Sequence, residues 1–273
     1  MSASYLEATA RERILAVLDA GSFSELLPPA RRVVSPHLGQ LDAPVSFDDG
    51  VVIGEGQLGG RAVMAAAQEG GFMGGAVGEV HGAKLVGLLK RAIRKQVAGV
   101  VLLLETGGVR LHEANAGLIA VSEVMRAVLE ARAAGIPVIV LVGGANGCFG
   151  GMGIVARCAN TIIMSEEGRL AMSGPEVIET ANGVEEFDSR DRALVWRTTG
   201  GKHRYLIGDC QQLVGDDTEA FRQAAIVALG DAVAVPLTLE ALQAEQEMLR
   251  QRIVSFGEAE DPMDIWAELG VPA

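Results

Sequence analysis

The sequence predicts an α/β protein, and three observations carry that expectation. Residues 100–104 and 136–142 are continuous apolar runs, the pattern of strands buried on both faces. Such runs alternate with segments of helical periodicity 10–25 residues long, which implies βαβ units, a mixed or parallel sheet and helices outside it. The connections are short, and no internal repeat or low-complexity linker interrupts the 273 residues, so one domain spanning 1–273 is expected.

The elements follow in order. Residues 4–20 place Leu6, Ile14, Leu15, Val17 and Leu18 at roughly helical spacing and end at Gly21, suited to close a helix. A turn-rich stretch through Pro28, Pro29, Pro36, Pro44, Asp48, Asp49 and Gly50 comes next. Residues 51–53 and 62–65 read as short strands around GEGQLGG, a hairpin-like pair. Residues 82–97 read as a helix with Leu85, Leu88, Leu89 and Ile93 on one face. After the strand at 100–104 come a long helix over 111–134, the strand at 136–142, a helix over 150–158, and strands at 161–164 and 170–173. Helical patterns resume at Pro175, clearest over 218–229 and 238–252, and residues 231–273 form a helical C-terminal extension.

Composition narrows the function classes. Aromatic residues are only 4%, so Val, Ile, Leu and Ala must build the core. The balance of 23 Lys and Arg against 35 Asp and Glu gives a net charge of −12, a field that repels nucleic acid and anionic membrane. Cys148, Cys158 and Cys210 form no CxxC pair and none stands near a histidine, so neither a zinc site nor a disulfide framework is expected. The N-terminal segment is charged throughout, unlike a signal peptide, and the apolar runs are too short to span a bilayer. A cytoplasmic location is expected.

Glycine is the unusual residue, at 35 of 273, nearly twice the usual share. GEGQLG matches the dinucleotide pattern GxGxxG, but it leads into a strand instead of a helix, so a tight hairpin is the better reading. No P-loop or GxSxG nucleophile elbow occurs. Three glycine clusters stand next to expected helix starts, at residues 70–82, 105–110 and 143–153. The second and third each follow a buried strand, at the sheet edge where open α/β sheets bind ligands. Backbone N–H groups at a helix start there suit an anion or a developing oxyanion.

In order, VVIGEGQLGGRAVMAAAQEGGFMGGAVGEVHGAKL, LLLETGGVRLHEA, LVGGANGCFGGMGIVARCANTIIM and LAMSGPEVIET resemble the amino-terminal half of the acyl-coenzyme A carboxyltransferases of the crotonase superfamily. Within that group the likeness is to the malonate decarboxylase β subunits, over roughly residues 45–230. The resemblance implies a crotonase-like spiral of ββα units, a homologous γ subunit as partner, and an active site between the two. It also implies one backbone oxyanion hole per subunit.

Carried over residue by residue, Gly150 and Gly151 fall on the oxyanion pair, with Phe149 and Met152 beside them. Gly107, Gly108, Val109 and Arg110 fall on a strand-to-helix turn lining the site, and Gly74, Gly75 and Gly78 on the acyl-thioester side. Two departures bear on the comparison. Bacterial acetyl-coenzyme A carboxylase β subunits carry a four-cysteine zinc ribbon, which three scattered cysteines cannot make. Fused carboxyltransferases are about twice this length, so the second half must come from another polypeptide.

The implied reaction is decarboxylation of a malonyl thioester. CO₂ leaves, and negative charge develops on the thioester oxygen, where N–H donors can hold it without a nucleophile or a metal. A proton must then reach the enolate carbon. His81 is the candidate taken from His37, His81, His112 and His203. Arg110 and Glu113 suit an i,i+3 pair. Lys84, Lys90, Arg91, Arg94 and Lys95 make one helix basic, either as a solvated face or as a contact for the carrier; Lys84 and Arg91 are the candidates for its phosphates.

The expected partners are the γ subunit, an acyl-carrier protein bearing a coenzyme A-like phosphopantetheine thioester arm, and an acyl-carrier transferase subunit. No covalent cofactor, metal or biotin is expected. The competing readings are a carboxyltransferase subunit of a biotin-dependent system, a self-contained hydratase using Glu79, Glu105 or Glu176, and a non-catalytic half of a complex.

Overall fold

The computed structural model describes residues 3–31, 34–42, 50–231 and 237–271. One sheet runs in sequence order through β1 (Ser24–Leu26), β2 (Val51–Leu58), β3 (Arg61–Gln68), β4 (Gly99–Leu103), β5 (Val138–Val142), β6 (Thr161–Ser165) and β7 (Gln212–Val214). The first three strands pair antiparallel and β3 to β7 pair parallel. Gly59 and Gly60, with φ of 58° and 75°, turn β2 into β3. Two left-handed residues match the twist of a hairpin, so GEGQLGG is strand and turn.

The helices are α1 (Ala10–Val17), α2 (Glu79–Lys95), α3 (Asn115–Ala133), α4 (Gly151–Arg157), α5 (Pro175–Asn182), α6 (Arg192–Thr199), α7 (Gly201–Leu206), α8 (Thr218–Asp231), α9 (Leu239–Phe256) and α10 (Pro262–Glu268). Strand alternation divides the core. Val100, Leu102, Val138 and Val140 pack with Leu85, Leu89, Val124 and Val128 of α2 and α3. Val101, Leu103, Ile139 and Leu141 pack with Ile14 and Val17 of α1 and Phe221 of α8. Both faces of the parallel sheet are covered, which is why β4 and β5 read as unbroken apolar runs.

Past the main sheet the chain makes a second, smaller set of pairings before each helix. Val77 bridges Val109, Thr106 bridges Cys148, Cys148 bridges Leu170, and Arg169 bridges Gly200. From β3 through α5, each turn is therefore main strand, short second strand, helix. This is the ββα spiral that the resemblance implied.

Several boundaries differ from the sequence reading. The first helix begins at Ala10 instead of residue 4, because Thr9 and Glu12 form a reciprocal capping box. Tyr5 is instead buried, stacked 4.0 Å from Phe221. The helix expected from 82 begins at Glu79. The helix expected from 111 begins at Asn115, because Ala114 at φ 48° and ψ −131° separates it from a 3-10 turn over Leu111–Glu113. Residues 170–173 join the second layer only through bridges, and the three-residue β1 and β7 are too short to show a period. Pro44, Asp48 and Asp49 of the turn-rich stretch lie outside the described residues.

At the C-terminal end, α9 buries none of its residues and is tied by Arg252, which donates to Asp209 Oδ1 at 2.8 Å. Helix α10 docks through Trp266, whose Nε1 donates to His203 Nδ1 at 3.2 Å. Burial, aided by the charge of Arg204, pushes His203 down from 6.5 to about 4. The unfolded chain therefore takes up this proton first as the pH falls. The stabilisation is complete above about pH 6.5 and is lost toward pH 4, on the order of 2–3 kcal/mol. Denaturant unfolding at pH 7 and pH 4.5 is expected to show a smaller acid loss in His203→Gln than in the wild type; equal losses would remove His203 from this role.

Candidate active site

The three glycine clusters meet in one seam at the C-terminal edge of the parallel strands. Val77 N–H donates to Gly108 O at 2.8 Å and Arg110 N–H to Val77 O at 3.0 Å, joining the first cluster to the second. Thr106 N–H donates to Gly147 O at 2.8 Å and Phe149 N–H to Thr106 O at 2.9 Å, joining the second to the third. Cys148 N–H then donates to Arg169 O at 2.7 Å.

The seam brings Gly108 and Gly150 face to face. A Cβ on Gly150 would stand 3.0 Å from Gly108 Cα, and φ at Gly150 is +64°, so glycine is required here twice over. Gly107 is exposed and Gly150 and Gly151 are half-buried, so the meeting point is open to solvent.

Most amides of the expected oxyanion set are already used. Gly107 N–H donates to Gly74 O at 2.8 Å, Gly108 N–H to Thr106 Oγ1 at 3.0 Å, and Gly150 N–H to Met172 O at 2.9 Å. Of the amides of residues 107–109 and 150–152, those of Val109, Gly151 and Met152 have no acceptor among the described residues, Met152 N–H being the second of the α4 start. Val109 and Gly151 each follow one of the two facing glycines, and Gly151 opens α4. The sequence singled out the loops, but it could not show which amides the seam consumes.

Other expected site residues sit elsewhere in the architecture. His81 is fully buried, with Nε2 3.0 Å from Gln68 Nε2. Arg110 is buried as well; its Nε donates to Ala76 O at 2.8 Å, it pairs with Glu113 at 3.1 Å, and it clamps two loops together. Met152 and Phe149 point into the protein. Gly75 and Gly78 make room for other groups: a Cβ there would meet Glu105 O at 1.9 Å and Glu113 Oε1 at 2.3 Å. Gly74 has open space.

The basic helix also divides. Lys84 is buried and donates to Val51 O at 2.6 Å, so it does not face a carrier phosphate. Arg91 is held by Glu55, as is Lys95. Cys148 is buried, which pushes its thiol up to about 12 and leaves it a poor nucleophile. Thr106 and Asn146, whose polar groups fix the loops, carried no signal in the sequence beyond standing next to glycine, and Met172, whose carbonyl holds Gly150, carried none.

Two surroundings complete the site. A cleft of about 610 Å³ opens between α2 and α3, lined by Gly82, Ala83, Val86, Ala116, Ile119 and Ala120 with Glu79 and Glu113 at its polar side. Large apolar side chains are exposed beside the seam and in the cleft, among them Leu111 at 90%, Met172 at 69% and Ile119 at 61%.

A ββα spiral, with amides left unused at a helix start on its loops, is the architecture of this chain. The carboxyl transferase domain profile matches residues 7–225, and the chain belongs to that family. It is 42% identical to the malonyl-S-ACP:biotin-protein carboxyltransferase of Malonomonas rubra, over 98% of this chain and 89% of that protein. It is 34% identical to the propionyl-CoA carboxylase β chain of Saccharopolyspora erythraea, over 74% of this chain but only 36% of that one. Among solved structures it matches a subunit of a Pseudomonas malonate decarboxylase hetero-tetramer in complex with malonate, with a TM-score of 0.86, 39% identity, and coverage of 96% and 95%. A second match, in the Pseudomonas malonate decarboxylase hetero-dimer, has a TM-score of 0.72 and 36% identity, covering 91% and 96%.

Gly150→Ala forces a side chain into the left-handed region and against Gly108. It is expected to lower kcat by roughly 10²-fold, the scale of losing one oxyanion donor, in a complex that still assembles. Full turnover in an assembled Gly150→Ala complex would remove the facing loops from the chemistry.

Proposed function

We propose that the chain is the β subunit of a malonate decarboxylase, acting with a homologous γ subunit on a malonyl thioester. The observation that carries this reading is the pair of amides, Val109 N–H and Gly151 N–H, left without acceptors on two loops held in contact. Decarboxylation breaks the bond between the α carbon and the carboxyl carbon, and its electron pair enters the enolate. Charge collects on the thioester oxygen, and two preset donors stabilise it more than they stabilise the uncharged carbonyl. A proton delivered to the α carbon then gives the acetyl thioester.

The thioester arrives on the phosphopantetheine arm of an acyl-carrier protein, loaded by an acyl-carrier transferase subunit. The apolar cleft between α2 and α3, rather than Lys84 and Arg91, is the place in this chain that suits the neutral part of that arm. The exposed apolar residues around the seam suit the γ subunit. His81 is shielded from the seam's open side, whereas His112, three residues beyond Val109, is exposed. No biotin, covalent cofactor or metal enters the scheme, and the location is cytoplasmic.

The alternative is transfer of the carboxyl to biotin, favoured by the 42% identity to a biotin-protein carboxyltransferase. Both reactions pass through the same enolate. Purified complex given malonyl thioester is expected to release CO₂ and form acetyl thioester with avidin present and no biotin protein added. Turnover that stops with avidin, or that needs a biotinylated carrier, replaces the first reading with the second.

A further inference from the structure

We propose that Glu105 is a positioning residue that sets the oxyanion amides from beneath the seam, together with Arg13 of the N-terminal helix. The proposal rests on the reading of Val109 and Gly151 as donors. Glu105 follows β4, is 4% exposed, and its carboxylate accepts three hydrogen bonds from two residues. Asn146 donates to Oε1 twice, through its backbone N–H at 3.0 Å and its side-chain Nδ2 at 3.0 Å. Arg13 Nη1 donates to Oε2. The other two nitrogens of Arg13 also donate, Nε to Tyr5 O at 2.7 Å and Nη2 to Leu6 O at 3.0 Å, so its side chain is fixed in place.

Glycine spacing around this carboxylate is an independent sign that the protein is built to contain it. A Cβ on Gly70 would stand 2.4 Å from Glu105 Oε1, and one on Gly144 would stand 2.4 Å from its Oε2. Two members of the glycine clusters therefore serve the buried carboxylate and not the open site. The main chain of Glu105 is fixed too, since its N–H donates to Gln68 Oε1 at 3.1 Å and Gln68 in turn contacts His81.

The path to the donors is short. Asn146 is followed by Gly147, whose carbonyl holds Thr106, and then by Phe149, whose N–H is held by Thr106. Thr106 Oγ1 accepts from Gly108 N–H. The adjacent residues Glu105 and Thr106 thus hold both loops, one through side-chain bonds to Asn146 and the other through its backbone and hydroxyl. A buried ion pair contributes little net stability. Holding a loop within the tolerance that oxyanion donors require is a task it can perform.

Glu105→Gln retains the size but presents an NH₂ to at least one of the donors now facing the carboxylate. Asn146→Ala removes one of the two loop bonds at a half-buried position, which keeps the test alive if the first variant does not assemble. In the complex with the partner subunit, kcat for malonyl-thioester decarboxylation is expected to fall roughly 10- to 100-fold in Glu105→Gln and about 3- to 10-fold in Asn146→Ala, with KM within about threefold.

Hydrogen exchange of the amides of residues 147–152 is expected to quicken at least about tenfold in both variants, with the central strands unchanged. Wild-type kcat in the assembled variants overturns the proposal. So does exchange that rises across the whole sheet instead of at the loop, the outcome of a merely structural role. If the wild-type complex does not decarboxylate the thioester, the functional reading fails separately, and the exchange measurement still decides whether Glu105 sets the loop.

Discussion

The site depends on the backbone of one residue, Thr106. Its N–H and C=O bond to Gly147 and Phe149 on the neighbouring loop, and its hydroxyl accepts from Gly108. These bonds bring two irregular loops into backbone contact without a side chain between them. Without that contact the loops that carry Val109 and Gly151 would not meet. The parallel sheet contributes by ending adjacent strands at the same edge, so the loops after β4 and β5 start side by side.

Donor accounting follows from this constraint. Most N–H groups of the second loop and of residues 146–150 are consumed in building the seam, as buried backbone groups must be. Those of Val109 and Gly151 remain, on loops that are held in contact through Thr106. Glycine performs three different tasks here. Gly150 permits the close approach of two backbones, Gly59 and Gly60 turn a hairpin, and Gly70 and Gly144 leave space for the Glu105 carboxylate. A composition unusually rich in glycine is the sum of these local needs.

The surroundings fit a site completed from outside. Apolar side chains are exposed beside the seam and in the cleft, and the 34% identical propionyl-CoA carboxylase β chain is matched over only 36% of its length. The Pseudomonas structures that this chain resembles are a hetero-dimer and a hetero-tetramer. A site that opens at such a surface can exclude water only when a second body covers it, and electrostatic interactions strengthen as water leaves.

The sequence by itself determined the α/β class, the unbroken strands β4 and β5, the hairpin at Gly59 and Gly60, and the glycine loops around which the site forms. These are local properties: an apolar run is visible when both faces are buried, and a glycine is visible wherever the backbone needs it. Tertiary structure decided the rest. Lys84 looked like part of a basic face until the helix was packed against β2, where its ammonium meets a carbonyl. His81 and Arg110 stood in promising clusters, yet packing buried both, and of the expected pair Gly150 and Gly151 the first has its N–H taken by Met172 O, 22 residues on. Glu105 and Arg13 are 92 residues apart. Hydrogen-bond partners at such separations leave no periodic trace in the sequence, since they are set by which loops the parallel strands bring together.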